Sequence, residues 1–361
     1  MKNIILAVAA LATSSTFGQN IVCFDIEANP TPDDPALALF TKYIDVFGIG
    51  IFAESSISDE KVKHTAAIFA EWIDNDEDGV VDDPLVYAEL IDREALMPIF
   101  SNEGSPAENA FFDNYEGEGV GAVLYEGEII TTRPLTDQFD ATLEENLHTI
   151  SSIGYANAYP LAFAEGETDN SFLTVAMDTA RGGHFVAIPG TYPESAWYHY
   201  NDETCEYNCM ATEYFYWGLT SMLGIQNYGE RCDWIAEEWE ACTATEFEIM
   251  DTALFNLFSE PLYNIPTSAP DGNYCPDNLS LKEQTAPNFI KVSPNPASSI
   301  ITIQLNEIEF ENIVIYNQLG SRVHVENITN KTTSINIEHL PLGVYYLATS
   351  RTNQKIKIIK N

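Results

Sequence analysis

The residue types best suited to chemistry are Glu144, Glu145 and His148, within Asp140–Gly154, D-A-T-L-E-E-N-L-H-T-I-S-S-I-G. Imidazole and carboxylate groups gathered on one helix face bind divalent cations and move protons. A spacing of four sets Glu144 and His148 on one stripe, with Glu145 one step round the helix. The helix that must position them is written locally. Thr142 and Glu145 have the spacing of a capping box, and Gly154 stands where a helix usually stops. Leu143, Leu147, Ile150 and Ile153 recur along one apolar face.

The run E-E-x-x-H resembles the H-E-x-x-H helix of zinc metallopeptidases with its first His replaced by Glu. That resemblance implies Glu144 and His148 as metal ligands and Glu145 as general base. In the gluzincin class the third ligand is an acid on a later helix. Glu213, in the apolar run Thr212–Gly224, is the candidate this implies, with His184 and His199 as alternatives. A buried carboxylate without a partner is costly, so a metal or strong hydrogen bonds must accompany Glu213. The longer metzincin motif is absent after His148, and no second Glu-x-x-His exists for a di-metal centre. Two Glu and one His cancel the charge of a divalent ion, where two His and one Glu leave +1. Bound water should then keep a pKa above the ~7 of good hydrolytic sites. The expectation is a weaker hydrolase, a different metal such as manganese or iron, or a scaffold that has lost catalysis.

A second cation motif lies at Asp74–Pro84, D-N-D-E-D-G-V-V-D-D-P. Asp74, Asp76, Asp78, Gly79 and Asp82 match positions 1, 3, 5, 6 and 9 of the EF-hand calcium loop. Position 12 is Leu85 in place of the bidentate Glu, and Asp83 or Glu89 could substitute. The bland reading is an Asp-rich solvated turn.

The elements around these motifs follow from periodicity. Ser58 or Asp59 caps a helix through Ile73, with Val62, Ala66, Phe69, Ala70 and Ile73 inward. Tyr43–Phe52 is a helix or a strand, and Leu85–Leu96 a helix. Gly119–Tyr125 and Glu128–Thr132 pair as a hairpin, an edge where a zincin adds an extended peptide. Helices are expected at Leu173–Arg181, Thr212–Gly224, Trp234–Trp239 and Glu246–Phe258. Tyr192, Trp197, Tyr198, His199 and Tyr200 read as packing, with stacking on carbohydrate the alternative. Arg181 reads as a structural partner for an acid such as Asp178, or as a holder of a substrate carboxylate. His64 reads as a capped or surface residue.

The chain has 361 residues, 16 basic and 55 acidic, for a net charge of −39. Such a field repels nucleic acid and anionic membranes and favours divalent cations. At 45% hydrophobic and 12% aromatic, the composition is that of a folded protein. Residues 1–18, MKNIILAVAALATSSTFG, read as a secretory signal peptide whose apolar run is too short to span a bilayer. Six cysteines follow, which in an exported chain suggests disulfides. Cys205–Cys209 and Cys232–Cys242 could close short loops, and Cys23–Cys275 could clip the ends of the main domain. Their spacing does not suit a cysteine zinc site.

Residues 291–361 hold 7 of the 16 basic residues but only 5 of the 55 acidic ones, which marks a domain boundary. Strand-like runs recur at Ile300–Leu305, Asn312–Tyr316, Ser334–Ile337, Val344–Ala348 and Ile356–Ile359. S-P-N-P-A at Ser293–Ala297, I-V-I-Y-N-x-x-G at Ile313–Gly320, I-x-x-L-P-x-G-V-Y-Y-L at Ile337–Leu347 and the lysines 355, 357 and 360 resemble the type A C-terminal sorting domain of Bacteroidetes type IX secretion cargo. The resemblance implies export through the outer membrane, recognition by the secretion machinery, and a secreted or cell-surface product.

The whole reads as an α+β protein. A signal peptide (1–18) precedes a zincin-like, mainly helical main domain (19–275) with a calcium loop at 74–85. A linker (276–290) and a small Ig-like β-sandwich (291–361) follow. The expected function is a secreted metal-dependent hydrolase acting on a peptide or polymer, with calcium and zinc or another transition metal as cofactors. The alternative is a non-catalytic calcium-binding surface or adhesion protein on a degenerate zincin scaffold.

Overall fold

The computed structural model describes residues 23–136, 138–276, 290–305, 311–317, 322–328, 330–349 and 355–361. The expected signal peptide and nearly all of the expected linker lie outside the described residues.

Helix α1 (Asp59–Ile73) starts where the sequence says it should. Ser58 caps it by accepting from the Lys61 amide, and Asp59 and Glu60 favour its positive end. Its flanking strands form a four-stranded sheet in the order β1 (Lys42–Val46), β2 (Ile49–Ala53), β3 (Leu96–Phe100), β4 (Leu124–Tyr125). Tyr43–Phe52 is therefore a hairpin. Phe47 and Gly48, both at positive φ, make its two-residue turn. Strands β2, β3 and β4 run parallel, joined by crossovers through α1, α2 (Pro84–Asp92) and α3 (Pro106–Asn114).

Three expectations fail here. The helix expected to Leu96 ends at Asp92, because L-M-P-I-F is a fully buried strand. The Gly119–Thr132 hairpin is only β4 followed by a 3₁₀ turn at Glu126–Glu128. Its apolar residues face the core from a loop. Helix α3 occupies a stretch where no helix was expected, although Ser105, Pro106 and Glu108 carry a start signal.

The second half of the main domain is helical. Helix α4 (Thr142–Thr149) runs through a π-helical turn at Ile150–Tyr155 into α5 (Ala156–Ala158). Then come α6 (Pro160–Phe163), α7 (Phe172–Ala180), α8 (Tyr207–Met222), α9 (Arg231–Ile235), α10 (Ala244–Met250) and α11 (Thr252–Phe258). The stretch expected as one helix at 246–258 is split at Asp251, whose carboxylate caps α11 and accepts from Tyr214 and Trp197. Leu147, Ile150, Phe163, Tyr214, Phe215, Leu219 and Trp239 fill one core with α1. The three disulfides pair as expected: Cys23–Cys275, Cys205–Cys209 and Cys232–Cys242.

In the tail, β5 (Ile290–Ser293), β6 (Ile300–Leu305) and β9 (Thr332–Asn336) form one sheet. A second has the order β11 (Lys355–Lys360), β10 (Gly343–Thr349), β7 (Glu311–Asn317), β8 (Arg322–Ile328). Ile301, Ile303, Ile313, Ile315, Ile335 and Leu347 share one core between them, consistent with a small β-sandwich. Strands β5 and β8 are additions to the expected five. Among the described residues no helix is long and apolar enough to cross a membrane.

Candidate metal centre

Helix α4 is anchored by an acid outside its expected cap. The Thr142–Glu145 capping box does not form; Ala141 is the N-cap and Asp140 Oδ1 takes the Thr142 amide at 3.3 Å. The other oxygen of Asp140 binds His64 Nε2 at 2.7 Å and an Arg133 nitrogen at 2.6 Å. His64 is thus a buried partner of a buried acid and not a surface residue. Burial alone would push the Asp140 carboxyl up, but His64 and Arg133 outweigh it and hold it below the usual range. Gly154 does not end the helix. It lies inside the π turn where α2 crosses, and a Cβ there would come within 2.7 Å of Val86 Cγ1. Single π turns in α-helices recur beside functional residues.

With its expected cap role absent, Glu145 is free to face His148. Its Oε2 stands 3.5 Å from His148 Nδ1. On the other side of the ring, Nε2 stands 3.5 Å from Glu213 Oε2 on α8. Glu144, His148 and Glu213 each bring one ligand atom to within 4.8 Å of the others. Ligand bonds of about 2.0–2.1 Å around a tetrahedral ion put neighbouring donors about 3.4 Å apart. His148 Nε2 is buried and has no hydrogen-bond partner. The donor types, the spacing and this orphaned nitrogen all fit a divalent cation.

The electrostatics point the same way. Burial, then the Glu213 charge, pushes the Glu144 carboxyl well up. Burial would lower the His148 imidazole, but Glu213 and Glu145 outweigh it and hold it well up. The cluster therefore demands positive charge, which a proton on His148 or a metal ion could each supply.

Several neighbours of the site carry no motif. Tyr216 meets the His148 ring edge-on at 5.6 Å, and the Tyr200 hydroxyl approaches Glu213 Oε1 at 3.4 Å. Glu165, between α6 and α7, has a buried oxygen without a partner; burial pushes its carboxyl up to about 8, partly offset by Thr212 and His148. Only tertiary contact brings these residues in. The alternative ligands go elsewhere. His184 Nδ1 binds Asp178 at 2.7 Å, and His199 Nε2 faces the Ala196 carbonyl at 3.0 Å. Arg181 is fully buried; it donates to the Phe185 carbonyl and the Tyr192 hydroxyl and does not pair with Asp178. Tyr198 is core, with its hydroxyl on the Met210 carbonyl.

In the Asp loop, Asp74, Asp76 and Asp78 bring oxygens within 4.8 Å of one another. Gly79 makes the bend at φ +84° and donates its amide to Asp74 Oδ2 at 2.9 Å. The Tyr274 hydroxyl donates to the same oxygen. Asp82 stands apart from that trio and accepts the Asn75 amide at 2.7 Å. Burial first, with the neighbouring acids, pushes Asp74 and Asp82 each up to about 6. Neither substitute for position 12 is free: Asp83 caps α2 and accepts from Tyr159, and Glu89 reaches Arg93.

Residues 291–361 match the family described as the secretion system C-terminal sorting domain. No curated protein matches the chain. The tail that matches is the two-sheet module, and its type IX address implies engagement with that secretion machinery and a secreted or cell-surface protein.

Proposed function

We propose that the main domain is a metal-dependent hydrolase, zincin-like and acting on peptide bonds, delivered outside the cell by its sorting tail. The observation that carries this reading is the convergence of Glu144, His148 and Glu213 from two helices, with His148 Nε2 buried and making no hydrogen bond. When bound, zinc or another transition metal would polarise a substrate carbonyl and acidify water. Glu145 is the base of the proposal. Its side chain is 25% exposed, so it can meet water. It also faces Nδ1, where it holds the ring proton and leaves the Nε2 lone pair for the cation. The Asp74–Asp82 loop is proposed to hold calcium, which would neutralise its clustered acids and lock the turn between α1 and α2.

Metal analysis of the purified chain, with hydrolysis of a mixed peptide substrate, tests the reading. One equivalent of transition metal, lost together with hydrolysis in Glu144→Ala or His148→Ala that still fold, is the expected result. Calcium as the sole bound cation, with no hydrolysis, selects the competing reading of a calcium-binding surface protein. That reading draws on the Asp74, Asp76 and Asp78 cluster.

A further inference from the structure

Arg231, at the start of α9, is held on three sides. Its guanidinium carbon lies 4.5 Å from the Phe139 ring centre and 5.8 Å from that of Trp217. Its Nε donates to Gln226 Oε1 at 2.9 Å. Gln226 is fully buried, and its amide donates to the Tyr216 hydroxyl at 2.9 Å and to Thr220 Oγ1 at 3.0 Å. Tyr216 is the residue whose ring meets His148. A chain of packed and hydrogen-bonded groups thus fixes the arginine relative to the candidate metal ligands.

The fork itself is left over. Among the described residues, the two terminal nitrogens of Arg231 have no hydrogen-bond or ion-pair partner, and the side chain is partly exposed. Arg93 and Arg133 each pair with carboxylates, and Arg181 spends both terminal nitrogens on oxygen atoms. Among the described arginines of the main domain it is the one with both terminal nitrogens open, in a chain with 55 acidic and 16 basic residues. Its charge is felt at Glu144 and at Glu238, yet it makes no ion pair with either. A guanidinium stacked on aromatic rings, with Nε tied and both terminal nitrogens open, is pre-organised for two parallel bonds to a planar anion.

We propose that Arg231 is the anion-recognition residue of this site, so that its substrates present a carboxylate close to the bond that is cut. The proposal rests on the hydrolase reading above and narrows it to carboxylate-bearing peptides. The carboxylate comes from a free C-terminus or from an acidic side chain, and the shared requirement is a planar anion that can accept from both nitrogens.

The test uses the metal-loaded full chain and a binding readout that needs no turnover. N-acetyl-dialanine as the free acid, the same peptide as its amide, and the amide of N-acetyl-alanyl-glutamate are titrated calorimetrically. The metal content of every sample is measured alongside. The free acid, the glutamate amide or both should bind at least about tenfold more tightly than the dialanine amide. Arg231→Gln should remove about ten- to a hundredfold of that affinity with the metal retained, and Arg231→Lys should restore only part of it. Which acid binds identifies the source of the carboxylate. Should Arg231→Gln fail to fold, Arg231→Lys takes its place: a partial loss of affinity supports the proposal and an unchanged affinity overturns it. Equal affinity for all three peptides, or no measurable binding of any, overturns the proposal. So does an Arg231→Gln chain that loses its metal but keeps the preference, since the arginine would then serve only as counter-charge to Glu144. Carboxylate preference in a chain with no transition metal and no hydrolysis sinks the hydrolase reading and leaves the recognition residue standing.

Discussion

Glu71→Gln should flatten the pH dependence of main-domain stability between pH 5 and pH 8. Glu71 is 3% exposed on α1, one turn before the Asp loop. One of its oxygens accepts the Asp271 and Gly272 amides at 2.6 and 3.0 Å, holding the segment that ends in Cys275. The other oxygen has no partner. Burial is the largest cause of the shift and, against the two amide bonds, pushes the carboxyl from 4.5 to about 7. Between those values the folded chain binds the proton and the unfolded chain does not. Stability is therefore full below pH 4.5, falls as the pH rises towards 7, and stays low above it. At about 1.36 kcal/mol per pKa unit the loss is about 3 kcal/mol. Glutamine keeps one acceptor for the amides and places an NH₂ where the orphan oxygen stood. That orphan costs roughly 1–3 kcal/mol at every pH, so the slope and not the level is diagnostic. Urea unfolding in EDTA at pH 5 and pH 8 measures it. Tryptophan emission reports the main domain alone, because residues 72, 197, 217, 234 and 239 are the only tryptophans. The other raised carboxyls titrate in both chains and cancel in the difference. Parallel pH profiles for the two chains would refute the reasoning.

Asp140→Asn should cost about 3–5 kcal/mol, because it leaves the buried His64 and the partly exposed Arg133 facing a buried neutral amide; denaturant midpoints of variant and parent give the value. Gly154→Ala should destabilise: helix propensity returns up to ~1 kcal/mol, but a Cβ 2.7 Å from Val86 forces repacking at about 1–3 kcal/mol. An unchanged or raised melting temperature contradicts the close approach of α2 to the π turn. Calcium at about a hundredfold over its dissociation constant should add ~2.7 kcal/mol to stability, and Asp76→Asn should lose most of that gain. Thermal melts in calcium and in EDTA, with magnesium as the control, decide it.

Much of the scaffold was legible because its signals are local. Ser58 before an apolar stripe specifies α1, and the Leu173 and Thr212 runs specify α7 and most of α8. The isoleucine alternation of the tail gives β6, β7 and β9. What failed were places where a local signal had two meanings. L-M-P-I-F continues the apolar period of α2, yet it becomes a strand because β2 and β4 flank it. Thr142 and Glu145 spell a cap that Asp140 takes over, since a buried acid held by His64 and Arg133 outcompetes a partly exposed one. His64 looks superficial in the sequence because its partner lies 76 residues away.

The two candidate cation sites divide along the same line. The Asp loop repeats its acids every second residue, so one turn gathers them, and the pattern can be read without knowing the fold. Its weakness is visible too: Asp82 and Asp83 are committed to backbone and to Tyr159, so fewer oxygens are free than the motif promises. The Glu144–His148 pair is equally local, but a pair is not a site. It acquires a third donor only because α8 packs on α4 and turns Glu213 inward, a contact no spacing encodes. The same packing stripe of α8 carries Tyr216 to His148 and Trp217 to Arg231. One helix thus brings together the third acid, the wall behind the imidazole and the platform under a guanidinium whose two terminal nitrogens are open. If α8 were merely a core helix, apolar side chains would serve at all these positions. The half-burial of Glu213 beside the Glu144 carboxylate would then be a cost that the His148 contact alone has to offset.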